Sequence, residues 1–163
     1  MKILHFFILT ITSIFLFNVC NTACLAAQTK DIKTTVIQKE IYEDGSYILD
    51  ELTIYEPRNI DTYSTYSTKS ATRTYTYYNS NKKKAWSFSV TGKFKYNGST
   101  SSAIHSSVKE QIFINGWKCA DKFATYSLAT AKGSGTFKYL TLSKKIVIGI
   151  KCSASGVISN VNY

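Results

Sequence analysis

The residues that could perform catalysis are few and lie apart in the sequence. Outside the apolar N-terminal segment the one histidine is His105, in a serine-rich stretch with no neighbouring acid and no G-x-S-x-G motif. Glu110 and Asp121 are the only acids after residue 61, and we expect them to form surface ion pairs rather than a glycosidase pair. No phosphate-binding loop, dinucleotide fingerprint or His/Cys cluster is present in the sequence. The sequence therefore predicts no enzyme, no metal and no other cofactor.

Lysines are the strongest candidates for a binding site. Three follow one another in a predicted turn, and two more lie on the polar face of the next predicted strand; they are Lys82, Lys83, Lys84, Lys93 and Lys95. Together they predict a patch for an anionic partner, such as a cell-wall polymer or an acidic glycan. Lysines at such positions also maintain solubility and block edge-to-edge pairing, and that alternative stays open. Four tyrosines could in addition stack on sugar rings: Tyr63, Tyr66, Tyr75 and Tyr77.

Residues 1–26 have the three-part pattern of a secretory signal peptide. Lys2 supplies the positive start, Ile3 to Phe17 is almost wholly apolar, and a polar stretch ends in small residues at Ala26. The apolar core is too short to span a membrane as a helix. We expect cleavage after Ala26 and export, which leaves a secreted chain with no transmembrane segment.

The same region is also compatible with lipidation of the N-terminus in place of simple cleavage. Asn21-Thr22-Ala23-Cys24 resembles a bacterial lipidation site, except that Asn21 stands where leucine is usual. Acylation of Cys24 would tether the protein to the outer face of a membrane.

Cleavage of the signal peptide leaves two of the four cysteines, Cys119 and Cys152. An even pair in an exported chain predicts a disulfide bond. Two free thiols are the alternative, and a bond between two chains also stays open. Neither cysteine is in a C-x-x-C motif, which argues against a redox or zinc role.

Charge divides the mature chain into two parts. Residues 27–61 have four basic and eight acidic side chains, a net charge of −4, whereas residues 62–163 have 15 basic and two acidic side chains, a net charge of +13. In the acidic part, Asp44-Gly45 between two β-prone runs predicts a hairpin. Residues 57–71 are rich in Ser, Thr and Tyr and predict a polar linker. The predicted organisation is a signal peptide (1–26), an acidic hairpin leader (27–56), a linker (57–71) and a basic β-sandwich domain (72–163).

The basic part predicts strands and no helix. In residues 86–96 the apolar and aromatic side chains alternate with Ser, Thr and Lys, as expected of a half-buried strand, and Gly92 predicts a bulge or a close backbone approach. Ile146, Ile148, Ile150 and Cys152 share one face of another strand. About seven such strands with Asn-Gly turns predict one antiparallel β-sandwich, immunoglobulin-like in general architecture.

Five segments and one tryptophan, in order along nearly the whole mature chain, suggest a family: Glu43-Asp44-Gly45-Ser46-Tyr47-Ile48, Lys69 to Tyr77, Trp86, Gly92-Lys93-Phe94-Lys95-Tyr96-Asn97-Gly98, Trp117-Lys118 and Lys151-Cys152-Ser153. In these segments the chain resembles a group of small secreted β-rich proteins of clostridia-type Gram-positive bacteria. The resemblance implies an exported β domain without an assigned activity, so it transfers no site residues. In that group a cysteine often follows the Tyr-Asn-Gly turn, whereas here the first one lies near Trp117.

Three functions are compatible with these features. The first is a secreted, non-enzymatic β-sandwich that binds an anionic component of the cell envelope or surface. The second is a secreted effector or antimicrobial-type protein that acts on other cells. The third is a structural or assembly module in which the acidic hairpin pairs with a basic face. Export argues against a nucleic-acid partner, and the sequence does not determine the oligomeric state.

Overall fold

The computed structural model describes residues 31–56 and 65–163, so the predicted signal peptide, Cys24 and Tyr63 lie outside the described residues. The described residues form β1 (Asp31–Ile41), β2 (Tyr47–Glu56), β3 (Ser67–Tyr78), β4 (Lys84–Tyr96), β5 (Ser101–Ile112), β6 (Lys118–Ser127), β7 (Thr130–Tyr139), β8 (Leu142–Cys152) and β9 (Ile158–Asn162). Within these two ranges there is no helix of the length and apolarity that crossing a membrane requires.

The strands form two antiparallel sheets that pack face to face. One sheet has five strands in the order β1-β2-β3-β4-β5, and the other has four in the order β6-β7-β8-β9. Strands β4 and β5 contact both β7 and β8 across the core, and β3 contacts β8. The predicted all-β sandwich is confirmed. Each sheet follows the order of the chain, however, and so lacks the Greek-key connections of immunoglobulin domains.

The predicted hairpin forms at Asp44-Gly45, where Gly45 has a φ of 79° and the Asp44 carboxylate accepts a bond from the Ser46 amide at 2.9 Å. The structure differs from the sequence prediction in where this hairpin lies. Strand β2 pairs with β3 along nine residue pairs, so the hairpin is the edge of the five-stranded sheet. Strand β3 also begins at Ser67, inside the predicted linker, whose residues 57–64 lie outside the described part of the chain. An isolated two-stranded hairpin has only marginal stability in water. Strand β3, which is rich in Ser, Thr and Tyr, pairs with β2 and makes the hairpin part of a larger sheet.

The apolar face predicted for the strand at residues 86–96 is confirmed. Trp86, Phe88, Val90 and Phe94 of β4 are fully buried, as is the predicted inner face of β8. A Cβ atom on Gly92 would lie 2.7 Å from the Ala131 Cβ atom, so the close approach expected at this glycine is also present.

The two glycines of Lys132-Gly133-Ser134-Gly135 lie inside β7 and not in a turn. A Cβ atom on Gly133 would lie 2.4 Å from a methyl group of Val90, and one on Gly135 would lie 3.1 Å from the Phe88 ring. These glycines therefore leave room for the large side chains of the opposite sheet.

Cys119 and Cys152 are free thiols, and the predicted disulfide bond between them is not formed. Cys119 on β6 pairs with Phe137 on β7, and Phe137 in turn pairs with Lys144 on β8, so Cys119 is level with Lys144 in the sheet. Cys152 lies at the end of β8, eight residues after Lys144. At about 3.3 Å per residue, Lys144 and Cys152 are roughly 26 Å apart along the strand. A disulfide requires Cα atoms within about 7 Å of each other, so the sheet holds the two cysteines too far apart.

A buried arginine joins the two sheets. Arg73 on β3 has no solvent exposure, and its Nη1 donates to the carbonyl oxygens of Gly149 and Val161 at 3.2 and 2.7 Å. Its Nη2 donates to Oδ1 of Asn162 at 2.7 Å. These bonds attach β8 and the short final strand β9 to the five-stranded sheet.

Candidate functional site

The five lysines of the predicted patch lie in two separate places. Lys82, Lys83 and Lys84 are exposed at the turn between β3 and β4, and the Lys84 Nζ atom lies 4.3 Å from the centre of the Phe113 ring. Lys93 and Lys95 are exposed near the other end of β4. Lys84 and Lys93 are nine residues apart on this strand, roughly 30 Å at about 3.3 Å per residue. The structure therefore does not bring these residues into one patch.

A larger group of lysines lies on the outer face of the four-stranded sheet. We call it the lysine face, and its members are Lys118, Lys132, Lys138, Lys145 and Lys151. Ile146, Ile148 and Ile150 of β8 are buried between the sheets, so the residues that alternate with them point away from the core. The strand register puts the lysines of β6 and β7 on the same side as those of β8; the pairs are Lys118–Lys138, Lys132–Gly149, Thr136–Lys145 and Thr130–Lys151.

The lysine face has no carboxylate at any of its paired positions. Lys118 and Lys138 lie directly opposite each other, an arrangement of like charges that destabilises a sheet. Asp121 is the one acid in β6–β9, and it lies in the bulge between Ala120 and Phe123, outside the paired register. The positive charge of this surface is therefore not balanced by paired acids across the strands.

The residues considered for catalysis lie outside the lysine face. Glu110 on β5 forms the predicted ion pair, with Lys122 as its partner, and this contact lowers the pKa of the Glu110 carboxyl. His105 is exposed on β5, an edge strand of its sheet, in register with Lys93. Within the described ranges no three His, Cys, Asp or Glu side chains are grouped as metal ligands.

A groove of about 660 Å³ opens between the β1–β2 turn and the start of β8. We call it the aromatic groove, because its walls include three partly exposed rings, those of Tyr42, Tyr77 and Trp117. The remaining lining residues are Ile41, Glu43, Asp44, Ser46, Leu142, Ser143 and Lys144. The groove thus combines flat apolar surfaces with charged groups of both signs.

Stacked rings behind the groove hold its walls in place. Trp117 stacks on Tyr139 with the ring centres 5.3 Å apart, and Tyr77 stacks on the buried Trp86 at the same distance. Trp86 in turn stacks on Phe137 at 3.9 Å. The Tyr77 and Trp117 rings are therefore held by aromatic packing that reaches into the core.

Lys144 is the central charged group of the groove. Its Nζ atom lies 3.7 Å from the centre of the Tyr42 ring and donates a hydrogen bond to the Tyr42 hydroxyl. Burial lowers the pKa of Lys144, while burial, followed by the nearby Glu40, raises the pKa of Tyr42. Bonds from Ser46 lower the pKa of the Asp44 carboxyl, so the groove contains a carboxylate as well as the amino group of Lys144.

Comparisons with protein-family models, with curated proteins and with solved structures give no match. The resemblance to the clostridial group therefore remains a prediction.

The sequence contained a signal for the lysine face, because Lys145 and Lys151 alternate with the apolar residues of β8. The aromatic groove had no such signal, since its three rings come from distant parts of the chain.

Proposed function

We propose that the protein is exported and binds an anionic polymer of the cell envelope through the lysine face, without catalysing a reaction. The observation that carries this proposal is the pairing of Lys118 with Lys138 on a surface whose paired positions include no acid. Such a surface raises the free energy of the folded state through repulsion, and a bound polyanion would remove that repulsion.

The spacing of the lysines favours a chain over a single anion. Lys118, Lys138 and Lys145 lie near one end of the face, and Lys132 and Lys151 lie towards the other end. Lys132 and Lys138 are six residues apart on β7, roughly 20 Å at about 3.3 Å per residue. A polymer with repeated phosphate or carboxylate groups would reach both groups of lysines, whereas one phosphate would reach only one.

The outer face of the five-stranded sheet is a poorer candidate. Its hydroxyl groups bond to one another across the strands: Thr34 with Thr53 at 3.0 Å, Thr72 with Thr91 at 2.8 Å and Thr74 with Ser89 at 2.9 Å. These groups have partners within the protein and need no ligand. Lys93 and Lys95 lie at one end of this face and provide a matched control for the lysine face.

The test compares two double variants that remove the same charge. Binding of a poly(glycerol phosphate) chain to the purified mature protein would be measured at about 50 mM and about 500 mM salt. We expect K118Q/K138Q to weaken binding about tenfold or more at low salt and K93Q/K95Q to change it less than about twofold. Equal losses in the two variants, or affinity that salt does not change, would reject the proposal.

A further inference from the structure

We propose that the aromatic groove is a second binding site and that it holds one neutral sugar ring of a glycan. This proposal goes beyond the lysine face and does not depend on it. Its basis is the combination, in one open groove, of fixed aromatic rings with the amino group of Lys144 and the carboxylate of Asp44.

The rings provide the apolar part of such a site. Tyr77 and Trp117 are partly exposed in the groove, and each stacks on another ring behind it. A ring that is already held in place loses little conformational entropy when a ligand stacks on it. The C–H groups on one face of a pyranose form a flat apolar surface that matches such a ring.

The charged groups provide the polar part. Lys144 is a hydrogen-bond donor and Asp44 is an acceptor, and both line the same groove as the rings. The hydroxyl groups at the edge of a sugar can both donate and accept, so they can satisfy both residues. An apolar ligand would instead remove the two charged groups from water without replacing their hydrogen bonds, which is unfavourable.

The balance of charge selects a neutral ring. Glu43 and Asp44 both line the groove, where Lys144 is the one basic residue of the lining. A phosphate or carboxylate would meet two acids there, whereas on the lysine face it would meet lysines and no acid at the paired positions. Lys144 and Lys145 are adjacent in β8, and the alternation of the strand sends the first into the groove and the second to the lysine face. The two sites therefore differ in the ligand charge that they favour.

The volume of the groove agrees with this ligand class. About 660 Å³ is within the range of roughly 300–1,000 Å³ that is usual for small-molecule sites. It accommodates a sugar ring together with parts of its neighbours in a chain.

The two tryptophans make a direct test possible. The chain contains only Trp86, which is fully buried, and Trp117, which lines the groove. The full-length mature protein, labelled with ¹⁵N, would be titrated with neutral oligosaccharides of glucose, galactose, mannose and N-acetylglucosamine. We expect at least one of them to shift the Trp117 indole N–H signal in a saturable way and to do so equally at low and high salt. The signal would be assigned with Trp117→Phe.

A pair of leucine substitutions tests the position of the site. Leu142 lines the groove and is 61% exposed, so Leu142→Trp adds a bulky ring there without removing a buried side chain. Leu128 is 87% exposed at the β6–β7 turn, and Leu128→Trp makes the same change outside the groove. We expect the first variant to weaken sugar binding about tenfold or more and the second to leave it within about twofold.

Three outcomes would overturn the proposal. They are the absence of any Trp117 shift with all four sugars, equal effects of the two leucine substitutions, and loss of sugar binding at high salt. Failure of this proposal is distinguishable from failure of the proposed function, because K118Q/K138Q is expected to weaken the polyanion and to leave sugar binding unchanged.

Discussion

Asp50 and Arg73 form a two-bond ion pair in the interior of the protein. Arg73 Nε donates to Oδ1 of Asp50 at 3.0 Å, and Nη2 donates to Oδ2 at 2.7 Å. The two side chains are 4% and 0% exposed. Asp50 belongs to the hairpin that the sequence assigned to a separate acidic leader. This carboxylate instead balances the charge of the buried arginine that connects the five-stranded sheet to β8 and β9.

Removal of one partner is expected to destabilise the fold strongly. Asp50→Ala leaves the Arg73 guanidinium buried without its counter-charge, and we expect the free energy of unfolding to fall by about 3–5 kcal/mol in urea titrations. Glu51→Ala is the control, because Glu51 is adjacent but only half-buried on the outer face. A loss at Asp50 no larger than that at Glu51 would contradict the structural role of the pair.

The lysine face makes opposite predictions for stability and binding. Lys138→Glu replaces the repulsion with Lys118 by an attraction, and we expect the free energy of unfolding to rise by about 0.2–1 kcal/mol. The same change is expected to weaken polyanion binding, since it both removes a positive charge and adds a negative one. Urea unfolding and a binding titration on one preparation would measure the two effects.

Lys93→Glu is the control for this prediction, because it makes the same change of charge on the other sheet. A Lys138→Glu protein that is less stable and binds as before would show that these lysines do not form a binding surface.

The free thiols predict unequal roles for the two cysteines. Cys152 is fully buried among the core residues, whereas Cys119 is half-buried, so we expect Cys152→Ala to reduce stability by about 1 kcal/mol and Cys119→Ala to reduce it less. Burial raises the pKa of both thiols, which predicts slow alkylation of the folded protein.

Mass spectrometry of protein purified without reductant checks the same point. Peptide mapping is expected to find no Cys119–Cys152 crosslink within one chain. If such a crosslink were found, and if both single variants lost an equal 2–4 kcal/mol or so, the bridge predicted from the sequence would be correct after all.

Alkaline pH is expected to destabilise the protein. Burial is the largest cause of raised pKa values at Tyr42, Tyr75 and Tyr78, compared with the ordinary value of 10.0. The folded protein therefore keeps protons that the unfolded chain loses, and stability falls as the pH rises above about 10. Lys144 acts in the opposite direction because its pKa is lowered, but it is one group against the three tyrosines, the two cysteine thiols and Lys122, whose pKa values are all raised.

Urea unfolding at about pH 9 and about pH 11 measures this loss. Tyr42→Phe removes one of the three tyrosine hydroxyls and is expected to make the loss smaller, while Tyr126→Phe, at a residue that is 51% exposed, is the control. An identical loss in the wild type and in Tyr42→Phe would show that Tyr42 does not contribute.

Several elements of the fold were predictable because their determinants are local. The alternation at residues 86–96 gave the inner face of β4, and Asp44-Gly45 gave the position of the hairpin turn. The glycines of β7 were not predictable in the same way. Their role depends on Val90 and Phe88, which reach them from the opposite sheet.

Local patterns in the sequence predict many of the strands, the inner faces of β4 and β8 and the turn at Gly45, because each depends on residues within a few positions of one another. Which distant residues meet depends on how the strands pair and how the two sheets pack. Strand pairing placed Asp50 against Arg73 and assembled the lysine face and the aromatic groove. It also kept Cys119 and Cys152 at opposite ends of one sheet. The register of a sheet decides such contacts, and the register depends on how both faces of the sandwich are buried at once.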